Sequence, residues 1–476
     1  MEINQQTRLP TVIEALASLF SMVLGIGVSV ALFGLHPQVP ILLGVAVSSV
    51  VAWRCGYQWA AIEKAMVIGV TRAVPAIMIF ILIGILIGVW IASGAVPTML
   101  YYGLTLLSAE IFLPSALLIC AVTSLATGSS WGASGTIGVA LIGIGGGLGF
   151  PLPIVAGAVI SGAYFGDKMS PLSDTTNLAS SMAGTDLYTH IRHMFNTTSI
   201  AFMITLVIEI GLGFKFSAAS SDSNNVAEIL TLLDENFVVN GFMLMPPALL
   251  IIASFKKIPP LPSLALGILV AAVIGLLFQG VSFELMMKSA FSGYKANIGM
   301  DVVDGLLSRG GIESMYYTIS LVLVAMMFGG IMEQTNQLKV LVSKLLEKAM
   351  STGSLVASTV FTTIAANLVL CEQYMSIILG ARTYAREYEK RGLHAKNLSR
   401  IVEDSGTVTA NLIPWTSGGA YQAGVLGVAT LAYAPFAFFC WLSPIVTLVF
   451  GVFNINMTRI EDDPTTHISI KQQPSI

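Results

Sequence analysis

Two polar islands interrupt an otherwise apolar chain, and their residue types are those that hold a hard cation or carry a proton. The first is Gly166-Asp167-Lys168-Met169-Ser170-Pro171-Leu172-Ser173-Asp174-Thr175-Thr176, and the second is Glu403-Asp404-Ser405-Gly406-Thr407-Val408-Thr409-Ala410-Asn411-Leu412-Ile413-Pro414. A charge at the centre of a bilayer helix costs about 2.5–3.5 kcal/mol on insertion scales, so such groups persist only when buried in protein or facing an aqueous cavity. Each island predicts a broken helix, whose two half-helices aim carbonyls, amides and dipole ends at the gap. Carboxylate, hydroxyl and carbonyl oxygens are the ligands of hard cations. Asp167, Ser170, Asp174, Thr175 and Thr176 supply them on one side, and Asp404, Ser405, Thr407, Thr409 and Asn411 on the other. Asp167, Asp174 and Asp404 are the carboxylates expected to hold Na+ or a proton. Carboxylates held close together cannot all stay ionised without a cation, so Na+ arrival should expel a proton.

Lys168 is the one cation inside the islands. It could neutralise the empty site, hold an anionic substrate, or form a permanent ion pair with Asp167 or Asp174. Two further segments carry candidate groups. At Thr127-Gly128-Ser129-Ser130-Trp131-Gly132, small and hydroxyl residues mark a helix break with Ser129, Ser130 and Trp131 beside it. At Asn367-Leu368-Val369-Leu370-Cys371-Glu372-Gln373-Tyr374, Glu372 has no Lys or Arg nearby until Arg382, so it reads either as a protonated carboxyl carrier or as an interfacial partner of Arg382 or Arg386. Glu209, flanked by isoleucines in a continuous span, is a third intramembrane acid that either faces the site or pairs elsewhere.

The elements that must position these groups follow from composition. Of 476 residues, 55% are hydrophobic and 10% charged, with a mean hydropathy of +0.81; soluble domains carry about 25% charged residues. Apolar stretches recur end to end at lengths suited to a hydrocarbon core of about 30 Å, so the chain is expected to be an all-α polytopic membrane protein. The segment 12–35 is too long for a signal-peptide core and should remain a helix. The four cysteines are far apart and suggest neither disulfides nor a metal site. No P-loop, HExxH or Cys/His cluster is present, so the sequence suggests neither an enzyme nor a cofactor, and nothing in it points to nucleic acid.

Spans are predicted at 11–35, 38–53 and 74–94, then short arms at 110–127 and 130–148, an interrupted span at 151–190, and 196–214. After a polar linker, the order repeats: 237–254, 261–279, 314–334, arms at 352–367 and 371–381, an interrupted span at 398–430, and 435–453. Lys64-Ala65-Met66 resembles Lys288-Ser289-Ala290, and Phe80–Leu100 resembles Ser320–Val340 in hydropathy. This predicts two inverted-topology repeats, each with five transmembrane helices (one broken) and a re-entrant helical hairpin. The expected division is 1–214, an extracytoplasmic linker 215–236, 237–456, and a cytoplasmic tail 457–476. The second pair of arms, about 15 and 11 residues, reads as too short to cross. With both termini cytoplasmic, 18 of the 23 Lys and Arg residues fall inside, four outside and Lys168 in the membrane, as the positive-inside rule requires. The segment Arg382–Arg400 is expected to be a cytoplasmic helical loop.

The stretch Ser161–Ala179, with Gly128-Ser129-Ser130-Trp131-Gly132 before it and Glu403-Asp404-Ser405-Gly406-Thr407 after, resembles the NhaC family of bacterial Na+/H+ antiporters. That resemblance spans nearly the whole chain. It implies a multi-pass protein of the bacterial cytoplasmic membrane, with the inverted repeats, hairpins and homodimeric state of the ion-transporter superfamily, exchanging Na+ for H+ by alternating access. Relatives of similar sequence exchange malate with two protons for lactate with Na+, so Na+- and H+-coupled exchange of small carboxylates, with Lys168 on the anion, is the alternative. A channel is a third reading, which buried charges at two helix breaks suit less well.

Overall fold

The computed structural model describes residues 7–33, 35–217, 223–256, 258–347 and 350–462, and all regular elements among them are helices. In chain order they are α1 (Val12–Phe33), α2 (Gln38–Arg54), α3 (Trp59–Ala92), α4 (Ala95–Leu106), α5 (Ala109–Thr127), α6 (Ser130–Ala133), α7 (Val139–Gly147), α8 (Leu152–Met169), α9 (Asp174–Ala183) and α10 (Leu187–Ser217). There follow α11 (Ser223–Asn236), α12 (Met245–Phe255), α13 (Pro260–Leu277), α14 (Phe283–Ser292), α15 (Asp301–Leu307), α16 (Tyr316–Gln334) and α17 (Gln337–Glu347). Last come α18 (Thr352–Leu370), α19 (Gln373–Lys390), α20 (Ala395–Val402), α21 (Val408–Ala410), α22 (Ser417–Leu426), α23 (Thr430–Tyr433) and α24 (Phe438–Val452). Seven helices among the described residues are long and apolar enough to cross a membrane, and up to nine spans result if each of two bent pairs counts as one. The protein is a multi-pass, all-helical membrane protein.

Glycines set the closest contacts. A Cβ on Gly69 of α3 would lie 2.0 Å from the Met326 carbonyl oxygen of α16, so these two helices touch backbone to backbone. Four residues apart on α8, Gly162 and Gly166 do the same against α5, where a Cβ would meet the Leu117 and Ala121 carbonyl oxygens at 2.1 and 2.2 Å. This contact holds the end of α8, with Asp167, beside the α5–α6 turn.

The two hairpins turn in the same way. Gly128 ends α5 with φ +70°, and Ser129 (φ −147°) caps α6 by accepting the Gly132 N–H at 3.0 Å. Cys371 ends α18 with φ +59°, and Glu372 (φ −148°) caps α19 by accepting the Tyr374 N–H at 3.4 Å. Both broken helices restart on a hydroxyl cap: Ser173 accepts the Thr176 N–H and Thr416 the Gly419 N–H. Two π-turns, Ser134–Gly138 and Glu403–Thr407, add a residue to the helices that carry them.

Several expectations are corrected. The arms of the second hairpin are α18 and α19, of 19 and 18 residues, not 352–367 and 371–381. Thr359 and Thr363 fold their hydroxyls back onto helix carbonyls, and the Tyr384 hydroxyl meets Thr362 at 2.8 Å, so polar residues prolong both arms. At about 28 Å, an arm of that length does not distinguish a re-entrant hairpin from a crossing. The segment Arg382–Arg400 is the end of α19, a turn and most of α20, and Arg400 is fully buried, donating to the Asn456 carbonyl at 3.2 Å. The linker is the helix α11, packed through buried Ile229 and Leu233; Asp222 lies outside the described residues, as do Lys257, Lys348 and 463–476 of the tail. The third span starts at Trp59 rather than 74, and α4 was not foreseen. Lys288 lies in the separate helix α14, so its likeness to Lys64 does not hold.

Candidate functional site

The site is built where α8 ends. Adjacent residues on a helix diverge by about 100°, so Asp167 and Lys168 point to different surroundings. Asp167, 5% exposed, faces the first hairpin tip and accepts the Ser130 hydroxyl at 2.6 Å. Lys168, wholly buried, turns the other way and forms an ion pair with Asp404, while donating to the Ser443 hydroxyl at 3.0 Å and lying 5.5 Å from the Phe439 ring centre. The second island divides likewise. Asp404 accepts from Lys168, from Thr197 at 2.8 Å and from Thr447. Its neighbour Glu403 accepts the Thr175 hydroxyl at 3.0 Å on the Asp167 side. Its other oxygen, like the buried Thr407 hydroxyl, has no hydrogen-bond partner among the described residues.

Asp167 opens onto a cavity of about 770 Å³, walled by the two hairpin tips, α3 and the 258–264 segment. Ser129, Ser130, Trp131, Asp174, Thr175 and Glu372 all line it. Asp174, expected to be buried, is exposed at the first turn of α9 and stands at this cavity. Glu372 is buried and accepts the Ser417 hydroxyl at 2.5 Å, not Arg382 or Arg386, so each hairpin tip meets a broken helix through one carboxylate–hydroxyl bond. Arg72 lines the same cavity, paired with Glu333. The inner end is closed by stacked rings: Trp131 and Tyr421 lie 4.2 Å apart at 12°, Phe80 flanks both, and the Tyr421 hydroxyl donates to the Trp131 carbonyl at 2.6 Å.

The remaining predicted residues shape the breaks. Ser170 accepts the Leu172 N–H at 3.2 Å, and Thr176 donates to the Lys168 carbonyl at 3.0 Å. Ser405 donates to the Ile401 carbonyl at 2.5 Å and contacts Thr363, while Thr409 donates to the Ser405 carbonyl at 2.5 Å. Asn411 donates to the Val408 carbonyl at 2.8 Å. Asp167, Asp174 and Asp404 are not gathered into one group of three acids among the described residues, because Asp404 turns away to Lys168. Sequence reasoning missed Glu403, Thr197, Ser443 and Thr447; only Glu403, inside the quoted island, carried a visible signal. Glu209 is buried, and neither carboxylate oxygen has a hydrogen-bond partner among the described residues.

The sequence profile described as the Na+/H+ antiporter family matches residues 162–455, which include both helix breaks and the second hairpin. The chain belongs to the Na+/H+ antiporter family. Over 425 residues the antiporter is 40% identical to the Na+/H+ antiporter NhaC of Alkalihalophilus pseudofirmus, covering 89% of this chain and 92% of that one. It is 37% identical over 452 residues to the malate-2H+/Na+-lactate antiporter of Bacillus subtilis, covering 94% and 96%. It is also 36% identical over 445 residues to the arginine/ornithine antiporter ArcD of Halobacterium salinarum, covering 93% and 92%.

Proposed function

We propose that this antiporter exchanges Na+ for H+ by competition at Asp167, with Asp174 at the approach and Glu403 behind the Thr175 hydroxyl. The observation that carries this reading is a cavity ending on a buried carboxylate whose neighbouring cation is already spoken for. Lys168 is held by Asp404 and Ser443, so among the described residues neither Asp167 nor Glu403 has its charge met by a bonded Lys or Arg. A bound proton or a Na+ ion balances that charge, and each excludes the other. Asp404 stays neutralised by Lys168 in this conformation.

Alternating access is supported by a second cavity on the far side of α22. Ile83 and Tyr421 line the first, whereas Ile87, Ala420 and Ala423 line the second, so about one helical turn and the aromatic stack separate them. Repeated local geometry supports the inverted repeats of five spans and a re-entrant hairpin. The α3–α4 and α16–α17 joints (left-handed Gly94 and Asn336), the hairpin turns, the breaks and the final spans recur in one order. On this reading both termini are cytoplasmic, the protein is a homodimer of the bacterial cytoplasmic membrane, and the Asp167 cavity opens to the cytoplasm.

Exchange of small carboxylates is the second reading, favoured by the malate/lactate relative. Lys168 does not suit it, being wholly buried and paired; Arg72 is the basic group on the cavity. Proteoliposomes given Na+, Li+, K+, malate and lactate decide the matter. Dissipation of a pH gradient by Na+ alone, lost in Asp167→Asn, is expected; a strict need for an organic acid would overturn Na+/H+ exchange in favour of the carboxylate reading.

A further inference from the structure

The second cavity, about 1,390 Å³, is bounded by α1, α16 and the segment from Pro414 to Leu431. Its walls are mostly apolar, with Val23, Ile26 and Val30 of α1 facing Leu321 and Val425. On α1 the neighbouring Phe20, Leu24, Val28 and Leu32 are exposed, so the cavity lies along a lipid-facing helix. Charge collects at one end, where Lys295, Arg309, His36 and Glu313 line it. Arg309 donates to the Leu426 carbonyl at 3.0 Å and the Gly305 carbonyl at 3.4 Å, and has no acidic partner among the described residues. Tyr316 and Tyr317, about half exposed, lie at the same end, with His36 edge-on to Tyr317 at 5.1 Å. Tyrosines at that level mark the membrane–water interface.

We propose that the lipid-facing side of this cavity, between α1 and α16, is a binding site for an acidic phospholipid, its phosphate on Arg309 and Lys295 and an acyl chain along the two helices, with the α22 side left to the ion path. Among the described residues the Arg309 guanidinium bonds only backbone carbonyls and no carboxylate, and in a largely apolar cavity such a group calls for an anion. A small organic acid would satisfy the guanidinium and leave the long apolar wall empty. A second protein copy would cover the wall but leave Arg309 without an anion. Headgroup height, basic end and apolar length together match a lipid.

Native mass spectrometry of protein from nanodiscs mixing phosphatidylglycerol and phosphatidylcholine tests this. Wild type should retain phosphatidylglycerol preferentially, and Arg309→Gln should lower the preference about fivefold, the equivalent of about 1 kcal/mol for one basic residue. Arg309→Lys should keep most of it, and Lys295→Gln should lose part. If Arg309→Gln fails to fold, Lys295→Gln and titration of wild type with phosphatidylglycerol still give the readout. Equal retention of the two lipids overturns the proposal. So does displacement of phosphatidylglycerol by malate, or dimer formation through Leu35→Cys cross-links with lipid expelled.

Discussion

Replacing Lys168 with methionine strands the carboxylate of Asp404. Both groups are wholly buried, so water cannot take over, and two hydroxyl donors, Thr197 and Thr447, remain against a full negative charge. Removing one member of a buried pair costs about 3–5 kcal/mol, because the survivor's charge is uncompensated. At about 1.4 kcal/mol per decade, the folded-to-unfolded ratio falls by roughly two to three and a half orders of magnitude. Adding Asp404→Asn removes the stranded charge and leaves an amide that keeps both threonine contacts, so K168M/D404N should regain most of the loss. Reversible unfolding in detergent, followed by tryptophan fluorescence, reads the cycle, and Na+-driven exchange in proteoliposomes reads function. A Lys168→Met protein as stable as wild type, or a double variant no better than the single, would refute the reasoning. A folded double variant devoid of exchange would mean that the pair acts in transport directly.

Gly166→Val should destabilise by about 1–3 kcal/mol and abolish exchange, since a Cβ there would sit 2.2 Å from the Ala121 carbonyl and push α8 off α5; thermal unfolding and exchange assays check it. Glu403→Gln should weaken apparent Na+ affinity about tenfold, seen as a raised half-saturating Na+ concentration, while keeping the Thr175 contact. Tyr421→Ala should open the wall between the cavities, giving labelled-Na+ efflux without matching proton movement, whereas Tyr421→Phe, which loses one hydrogen bond of about 1 kcal/mol, should stay coupled.

The islands and hairpin turns were legible in the sequence because buried charge, proline and clustered small residues have no other explanation in a chain so apolar. What the sequence could not disclose was which of two neighbours faces the site. Asp167 and Lys168 differ by one position, as do Glu403 and Asp404, and the π-turn at Glu403–Thr407 shifts the face of everything after it. Hence Asp404 was read as an ion ligand where Lys168 occupies it, and Glu403 was passed over. The length of the second hairpin was misjudged because its threonines look like breaks while their hydroxyls bond back to the helix. Lys295 and Arg309 belong to no motif in the sequence; only folding brings the apolar wall of distant α1 beside them.

Proton release on Na+ addition tests the central claim most directly, measured with a pH dye on purified protein in weak buffer. Wild type should release protons as Na+ binds, and Asp167→Asn, folded to the same melting temperature, should release none. Undiminished release from Asp167→Asn would contradict the assignment of the exchange site to this carboxylate.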